Sequence, residues 1–247
     1  MKVSLIVPVL YSEPDLQPTL LRLASLQGRL NLEIFVVVDI PDLGREDEAR
    51  VAVEGAIGEL DAIPIYRVGE RGFGSALRDG FAKAGGDVLI PFMADACDDP
   101  EDVPRLVEAV DQGWDVVAGS RYMKGGRIVG NTPKQRLSRL YSWLVRLAGG
   151  PRIHDVSNAF KAYRRQVIES VETTATSFDV SVELAVKANQ ANFKVGEIPT
   201  VWSNRKLGTS NFDIPREIKN YGRWLLLALR GRFPPRASRP RDTREPS

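Results

Sequence analysis

Three carboxylates, Asp95, Asp98 and Asp99, follow directly on a short apolar run, Val88 to Met93. The run has the length and character of a strand buried on both faces, as in a parallel sheet covered by helices. Pro100, Glu101 and Asp102 then open a helix. Carboxylates are therefore expected at the carboxyl end of a buried strand, where open α/β sheets bind their ligands. A carboxylate in that position can hold a hard divalent cation that clamps phosphates, or it can cap the next helix. Asp99 has the spacing of a cap. Asp95 comes too early to cap, at the strand edge, and is the better cation ligand.

The elements that must carry these carboxylates alternate. Apolar runs at Val3–Pro8, Leu32–Val38 and Ala62–Val68 read as strands. Between them, Leu16, Leu20, Leu23 and Leu26 make a helical stripe, and a Glu- and Ala-rich helix is expected from Glu46 to Leu60. Arg71, Gly72, Phe73 and Gly74 form a glycine-rich turn into a helix from Ser75 to Lys83, which Gly85 and Gly86 end. The alternation implies an α/β fold with a mostly parallel, Rossmann-like sheet flanked by helices and right-handed crossovers. The loop from Pro8 to Glu13, Asp39 and Asp95 all fall just after strands, so one sheet edge collects them. Further on, Trp114–Gly119, Phe160–Tyr163 and Phe193–Trp202 read as strands. Pro133–Leu147, Phe178–Ala191 and Pro215–Leu229 read as helices, and Lys124–Arg127 as a flexible basic loop.

Composition narrows the classes. The chain has 247 residues, 43% hydrophobic and 27% charged, ordinary for a soluble globular protein. The net charge of +2 gives no nucleic-acid signature. One cysteine, Cys97, excludes an internal disulfide framework and fits a reducing compartment. The lone His154 cannot build a multi-histidine metal site. No signal peptide is visible, since Met1 and Lys2 lead straight into a strand-length run broken by Pro8. No run approaches the about 20 apolar residues that span a bilayer. The expectation is a cytoplasmic protein that touches a membrane, if at all, from its inner face.

Met93-Ala94-Asp95-Ala96-Cys97-Asp98-Asp99-Pro100 resembles the segment around the Asp-x-Asp motif of family 2 glycosyltransferases, in the branch of dolichol- and polyprenyl-phosphate sugar synthases. The resemblance runs from Val3 to about Phe212. It implies a single GT-A domain over residues 1–232, with a nucleotide-sugar half (1–119), an acceptor half with a C-terminal amphipathic helix (120–232), and a disordered tail (233–247). Where the family usually has Asp-Ala-Asp, this chain has Met93, Ala94 and Asp95, so only the second carboxylate is kept.

The resemblance also assigns roles. Pro8, Tyr11 and Glu13 are similar to the family's base-binding loop, although Glu13 also has the spacing of a helix start. Asp39 resembles the strand-end aspartate that reads base or ribose, and Arg71 the basic end of the glycine-rich segment beside the nucleotide. Asp95, with Ala94 beside it, is the implied ligand of Mg²⁺ or Mn²⁺, which would act as a Lewis acid on the leaving diphosphate. Gly119-Ser120-Arg121-Tyr122, Gly125-Gly126-Arg127, Arg136 and Ser138 resemble the polyprenyl-phosphate branch, whose arginines grip the acceptor phosphate; here these are Arg121 and Arg136. An arginine fork binds phosphate bidentately and stays charged, and an ionised phosphate needs no general base. A solvated basic helix is the other reading of the Arg136 segment. Asp155 to Arg164 is similar to the family segment that shapes the acceptor side. Arg205, Gly208 and Ser210 match a loop that closes on the diphosphate, with Asn211 where the family has Lys.

The implied activity is inverting transfer of a sugar from GDP-mannose or a UDP-sugar to a phosphate-bearing, polyprenyl-type acceptor. Residues 216–232 carry apolar Ile218, Tyr221, Trp224, Leu225 and Leu229 among Lys219 and four arginines. That helix can lie in a membrane interface or pack on its own domain. Other classes are a non-catalytic binding module, motivated by Met93 and Asn211, a transferase with a soluble acceptor, and a sugar-1-phosphate nucleotidyltransferase. The last begins with a glycine- and arginine-rich loop that Pro8 to Tyr11 does not resemble.

Overall fold

The structure, a computed structural model, describes residues 1–10, 13–40, 44–68, 72–130, 133–204 and 214–231. Tyr11, Arg71, Arg205, Ser210 and the tail expected from 233 lie outside the described residues. In chain order the elements are β1 (Lys2–Leu10), α1 (Leu16–Ala24), β2 (Asn31–Ile40), α2 (Glu46–Ile57), β3 (Ile63–Val68), α3 (Phe73–Lys83), β4 (Val88–Pro91), α4 (Asp102–Asp111) and β5 (Val116–Ser120). There follow β6 (Arg127–Val129), α5 (Pro133–Leu147), β7 (Lys161–Arg164), α6 (Arg165–Ser170), α7 (Val180–Gln190), β8 (Val195–Pro199), β9 (Val201–Ser203) and α8 (Ile214–Leu229).

The main sheet has the order β3-β2-β1-β4-β7-β5-β8, and a small second sheet pairs β6 with β9. All main-sheet pairings are parallel except those of β7, which runs antiparallel to both β4 and β5. The apolar runs are continuous because both sheet faces are covered. Val3, Leu5 and Val7 of β1 pack into one core with Ile34, Val36 and Val38 of β2. The alternate residues Ile6, Phe35 and Val37 pack into the other. Period-two alternation thus splits each run between two layers of helices.

Three features differ from the sequence expectation. The strand expected over 193–202 is two strands in two sheets. Thr200 is the corner: its N–H donates to Ser120 O at 3.1 Å and its side chain donates to Asp102 Oδ2. These bonds turn the chain out of the main sheet after Pro199. The basic loop at 124–127 ends in β6, whose Arg127 N–H reaches Thr200 O at 3.0 Å. The apolar stripe read along 216–232 is divided. Trp224 (2% exposed) and Ala228 face the core, Tyr221 packs against it, and Ile218, Leu226 and Leu229 face outward.

Candidate active site at the sheet edge

The acidic segment is a tight turn at the carboxyl end of β4. Ala96 adopts φ +55°, a left-handed backbone unusual for a residue with a Cβ. Asp95 supports it by accepting the Cys97 N–H on Oδ1 at 3.2 Å, and Thr19 Oγ1 on α1 donates to Ala94 O at 3.1 Å. Asp95 is half-buried and reachable. The cap expected at Asp99 is not formed: the N-cap position of α4 is Glu101, with no side-chain cap bond. Asp99 instead closes the turn before it by accepting the Glu101 N–H at 3.2 Å, and it pairs with Arg22 at 3.0 Å.

Asp98 is the buried member. Among the described residues its Oδ1 has no hydrogen-bond partner. Burial, reinforced by the negative charge of Asp95, pushes its carboxyl up to about 7, with Arg121 opposing. Its backbone forms an isolated antiparallel bridge with Trp202, and the Ser203 N–H donates to Cys97 O at 2.8 Å. The small β6–β9 sheet is thereby sewn onto the acidic turn.

Arg121 stands at the end of β5. Its Nε donates to Asp155 Oδ2 at 2.6 Å and its Nη2 to Asp155 Oδ1 at 2.9 Å, and its backbone N–H adds a third bond to the same carboxylate at 3.1 Å. Nη2 also lies 3.4 Å from Ser138 Oγ and from Ser157 Oγ. Nη1 makes none of these bonds. The guanidinium carbon is 5.2 Å from the Tyr122 ring and 5.9 Å from the Trp202 ring. Burial works against the charge, but the Asp155 carboxylate more than offsets it and holds the guanidinium protonated. Burial would likewise raise Asp155, yet Arg121 and then Lys161 bring it below the ordinary carboxylate range. Lys161 is itself fully buried and donates to the Val156 carbonyl at 2.9 Å and to the Asn158 carbonyl. Burial depresses its ammonium to about 7 against the pull of Asp155.

The remaining expected residues fall as follows. Pro8 is buried within β1, and Glu13 begins the turn into α1. Asp39, at the end of β2, is occupied: one oxygen pairs with Arg67 of β3 and the other accepts the Gly72 N–H at 2.9 Å. It fastens the glycine turn to the sheet, and burial raises its carboxyl despite those bonds. Arg136 is exposed on α5, two residues before Ser138. Lys161, Trp202 and Arg67 were not singled out from the sequence. No local pattern marks Trp202, whereas the Asp155 segment had been placed on the acceptor side without its arginine partner.

The donor set suits a hard divalent cation. Asp95 is accessible and Asp98 has an unpartnered oxygen, while the buried Cys97 thiol is a poor partner for Mg²⁺. Among the described residues no three His, Cys, Asp or Glu side chains are grouped to hold a metal. Magnesium commonly takes one or two carboxylates and fills its shell with phosphate oxygens and water.

Known proteins share this framework. The family model described as "Glycosyl transferase family 2" matches residues 4–172. The dolichol-phosphate mannosyltransferase of Pyrococcus furiosus is 31% identical over 234 residues, 91% of this chain and 64% of its own length. The chain therefore spans somewhat under two thirds of that relative. The polyprenol monophosphomannose synthase of Mycolicibacterium smegmatis is 31% identical over 214 residues, 78% of this chain and 80% of its own length. Among solved structures, glucosyl-3-phosphoglycerate synthase from Mycobacterium tuberculosis, in complex with Mn²⁺, UDP and phosphoglyceric acid, superposes with a TM-score of 0.65. It is 16% identical, and the match covers 94% of this chain and 79% of that one. The fold is a single GT-A domain, and the chain belongs to glycosyl transferase family 2.

Proposed function

We propose that the protein is an inverting glycosyltransferase that moves a sugar from a nucleoside-diphosphate sugar to a polyprenyl-type phosphate. The observation that carries this reading is the juxtaposition, at one sheet edge, of the acidic turn holding Asp95 and Asp98 with Arg121, whose charge is fixed by Asp155. The two kinds of group suit the two phosphates of the reaction. The acceptor phosphate oxygen attacks the anomeric carbon as the bond to the donor diphosphate breaks on the opposite face, so configuration inverts. Arg121 and Arg136 bind the acceptor phosphate, with Arg121 using the Nη1 edge left outside the Asp155 pair. Asp95, with Asp98 behind it, would hold Mg²⁺ or Mn²⁺, which would supply charge neutralisation for the leaving diphosphate. Pro8, Tyr11, Glu13, Asp39, Arg71, Ala94, Arg205 and Ser210 frame the nucleotide sugar, Asp39 by fixing the glycine turn.

The helices beyond the site favour a lipid-borne acceptor over a soluble one. Leu137, Leu140, Trp143 and Leu147 of α5 and Ile218, Leu226 and Leu229 of α8 are all exposed. Arg136, Arg139, Arg146, Lys219 and Arg230 are exposed beside them. Apolar faces rimmed by basic residues suit an anionic lipid surface. The contact we propose is peripheral, through these two faces; no helix among the described residues is long and apolar enough to cross a membrane.

The test is calorimetric titration with GDP, UDP, ADP and dTDP, each with and without Mn²⁺, followed by farnesyl phosphate. Metal-strengthened binding of one diphosphate, lost in Asp95→Ala, together with farnesyl phosphate binding, is the expected result. Binding of a diphosphate without any turnover of its sugar conjugate would favour a non-catalytic module. No binding of any diphosphate would end the transferase reading.

A further inference from the structure

We infer that Trp202 is a positioning residue that fixes the acceptor-side arginine relative to the donor-side acidic turn. The inference rests on the assignment of Arg121 to the acceptor phosphate. Trp202 is the point where the two halves of the site are joined. Its backbone bridges to Asp98, and the next residue, Ser203, donates to Cys97 O at 2.8 Å. Its flanks, Val201 and Ser203, pair in register with Arg127 and Val129 of β6, the strand that closes the basic loop after Arg121. Its indole stands 5.9 Å from the Arg121 guanidinium carbon, within the range in which a ring face attracts a cation. Tyr122, the other ring on that guanidinium, is tied to α5 by its hydroxyl, which donates to Gln135 O at 3.1 Å and meets Ser138 Oγ at 3.0 Å.

Asp155 restrains Arg121 along the Nε–Nη2 edge only. Ser138 and Ser157 meet the same Nη2, so the polar contacts lie along one edge. Tilt of the guanidinium plane about that line is restrained by two rings, Tyr122 on the α5 side and Trp202 on the acidic-turn side. Because Trp202 is sewn to Asp98, any movement of β9 shifts the arginine and the acidic turn together. The separation of the acceptor phosphate from the donor diphosphate is thereby set by one strand. Displacement needs the attacking oxygen close to the anomeric carbon and in line with the leaving group, and small misplacements are costly.

The experiment compares wild type, Trp202→Phe and Trp202→Leu. It measures affinity for farnesyl phosphate, affinity for the nucleoside diphosphate that the wild type binds with Mn²⁺, and the thermal midpoint. Leucine keeps apolar bulk and loses the aromatic face; phenylalanine keeps the face. The expected result is a loss of about tenfold in farnesyl phosphate affinity for Trp202→Leu, the scale of a partly desolvated cation–ring contact. Trp202→Phe should stay within about threefold of wild type, with diphosphate affinity and midpoint unchanged in both. Equal farnesyl phosphate affinity in all three proteins would overturn the inference. So would parallel losses of both ligands and of thermal midpoint in Phe and Leu alike, which mark mere packing. A wild type that binds the diphosphate but not farnesyl phosphate would remove the acceptor assignment itself, a failure distinct from that of Trp202.

Discussion

Arg121 and Asp155 meet edge to edge, Nε to Oδ2 at 2.6 Å and Nη2 to Oδ1 at 2.9 Å, with the carboxylate wholly buried. Breaking a buried pair from one side leaves the other charge uncompensated, which costs about 3–5 kcal/mol. Asp155→Asn should therefore lower stability by about that amount in urea unfolding at neutral pH. The sign with pH follows from the native carboxyl lying below its ordinary value. The pair's contribution is complete above the unfolded carboxylate range, near pH 4, and is lost as pH falls through the native value. The gap between wild type and Asp155→Asn should narrow on acidification; a gap that widened would contradict the pairing.

Lys161 gives a pH signature of the same sign in a higher window. Its ammonium is depressed to about 7 in the native protein by burial, while the unfolded chain keeps the ordinary lysine value. Between about pH 7 and pH 10 the unfolded state binds the extra proton, so this residue makes stability rise with pH across that window. Asp155, Arg121 and Asp98 all act on it. In Lys161→Met the rise over that window should be reduced, read from the pH dependence of urea midpoints. An unchanged slope would place the lysine's proton elsewhere.

Gly74 tests whether the donor-side turn is held by the far half of the chain. A Cβ there would lie 2.4 Å from Ala175 O and 3.0 Å from Ser177 O. The 174–177 segment is not free to yield. Glu183 accepts the Thr174 and Ala175 N–H groups at 2.8–3.0 Å, the Gly74 N–H donates to Thr176 O at 3.0 Å, and Phe73 stacks on Phe178 at 5.0 Å. Gly74→Ala should cost about 1–3 kcal/mol through forced backbone shifts. It should also weaken diphosphate binding at temperatures where the variant is fully folded. Unchanged affinity would detach the turn from the nucleotide.

Much of this was legible in the sequence because burial on both sheet faces forces apolar runs that end where the ligand edge begins. The places of the strands up to β5 follow from that pattern. The place of Asp95 just beyond β4 was legible because the apolar run stops there. What was hidden is whatever depends on contacts far apart in the chain. Asp39 looks like a free strand-end ligand until Arg67 and the Gly72 N–H take its oxygens, and nothing local shows that β9 buries Asp98. The split of 193–202 into β8 and β9 depends on Thr200 finding Asp102, ninety-eight residues away.

The apolar faces of α5 and α8 supply the last prediction. Trp143 of α5 and Leu226 of α8 are both exposed, at 57% and 57%, while Tyr141 and Tyr221 join the two helices behind them with ring centroids 5.0 Å apart. Replacing the outward pair leaves that junction, and Trp224 with its 2.7 Å bond to Asp179, untouched. Each large apolar side chain inserted into an interface contributes about 1.5–3 kcal/mol. The double variant Trp143→Ser, Leu226→Ser should keep the wild-type thermal midpoint. It should sediment with phosphatidylglycerol vesicles at least about tenfold more weakly, since about 1.4 kcal/mol is tenfold. Added salt should weaken the wild type as well, because the exposed Arg136, Arg139, Lys219 and Arg230 contribute through screened attraction. Equal sedimentation of variant and wild type would mean that these faces do not meet lipid. The route from a bilayer to Arg121 would then have to start from another surface of the acceptor half.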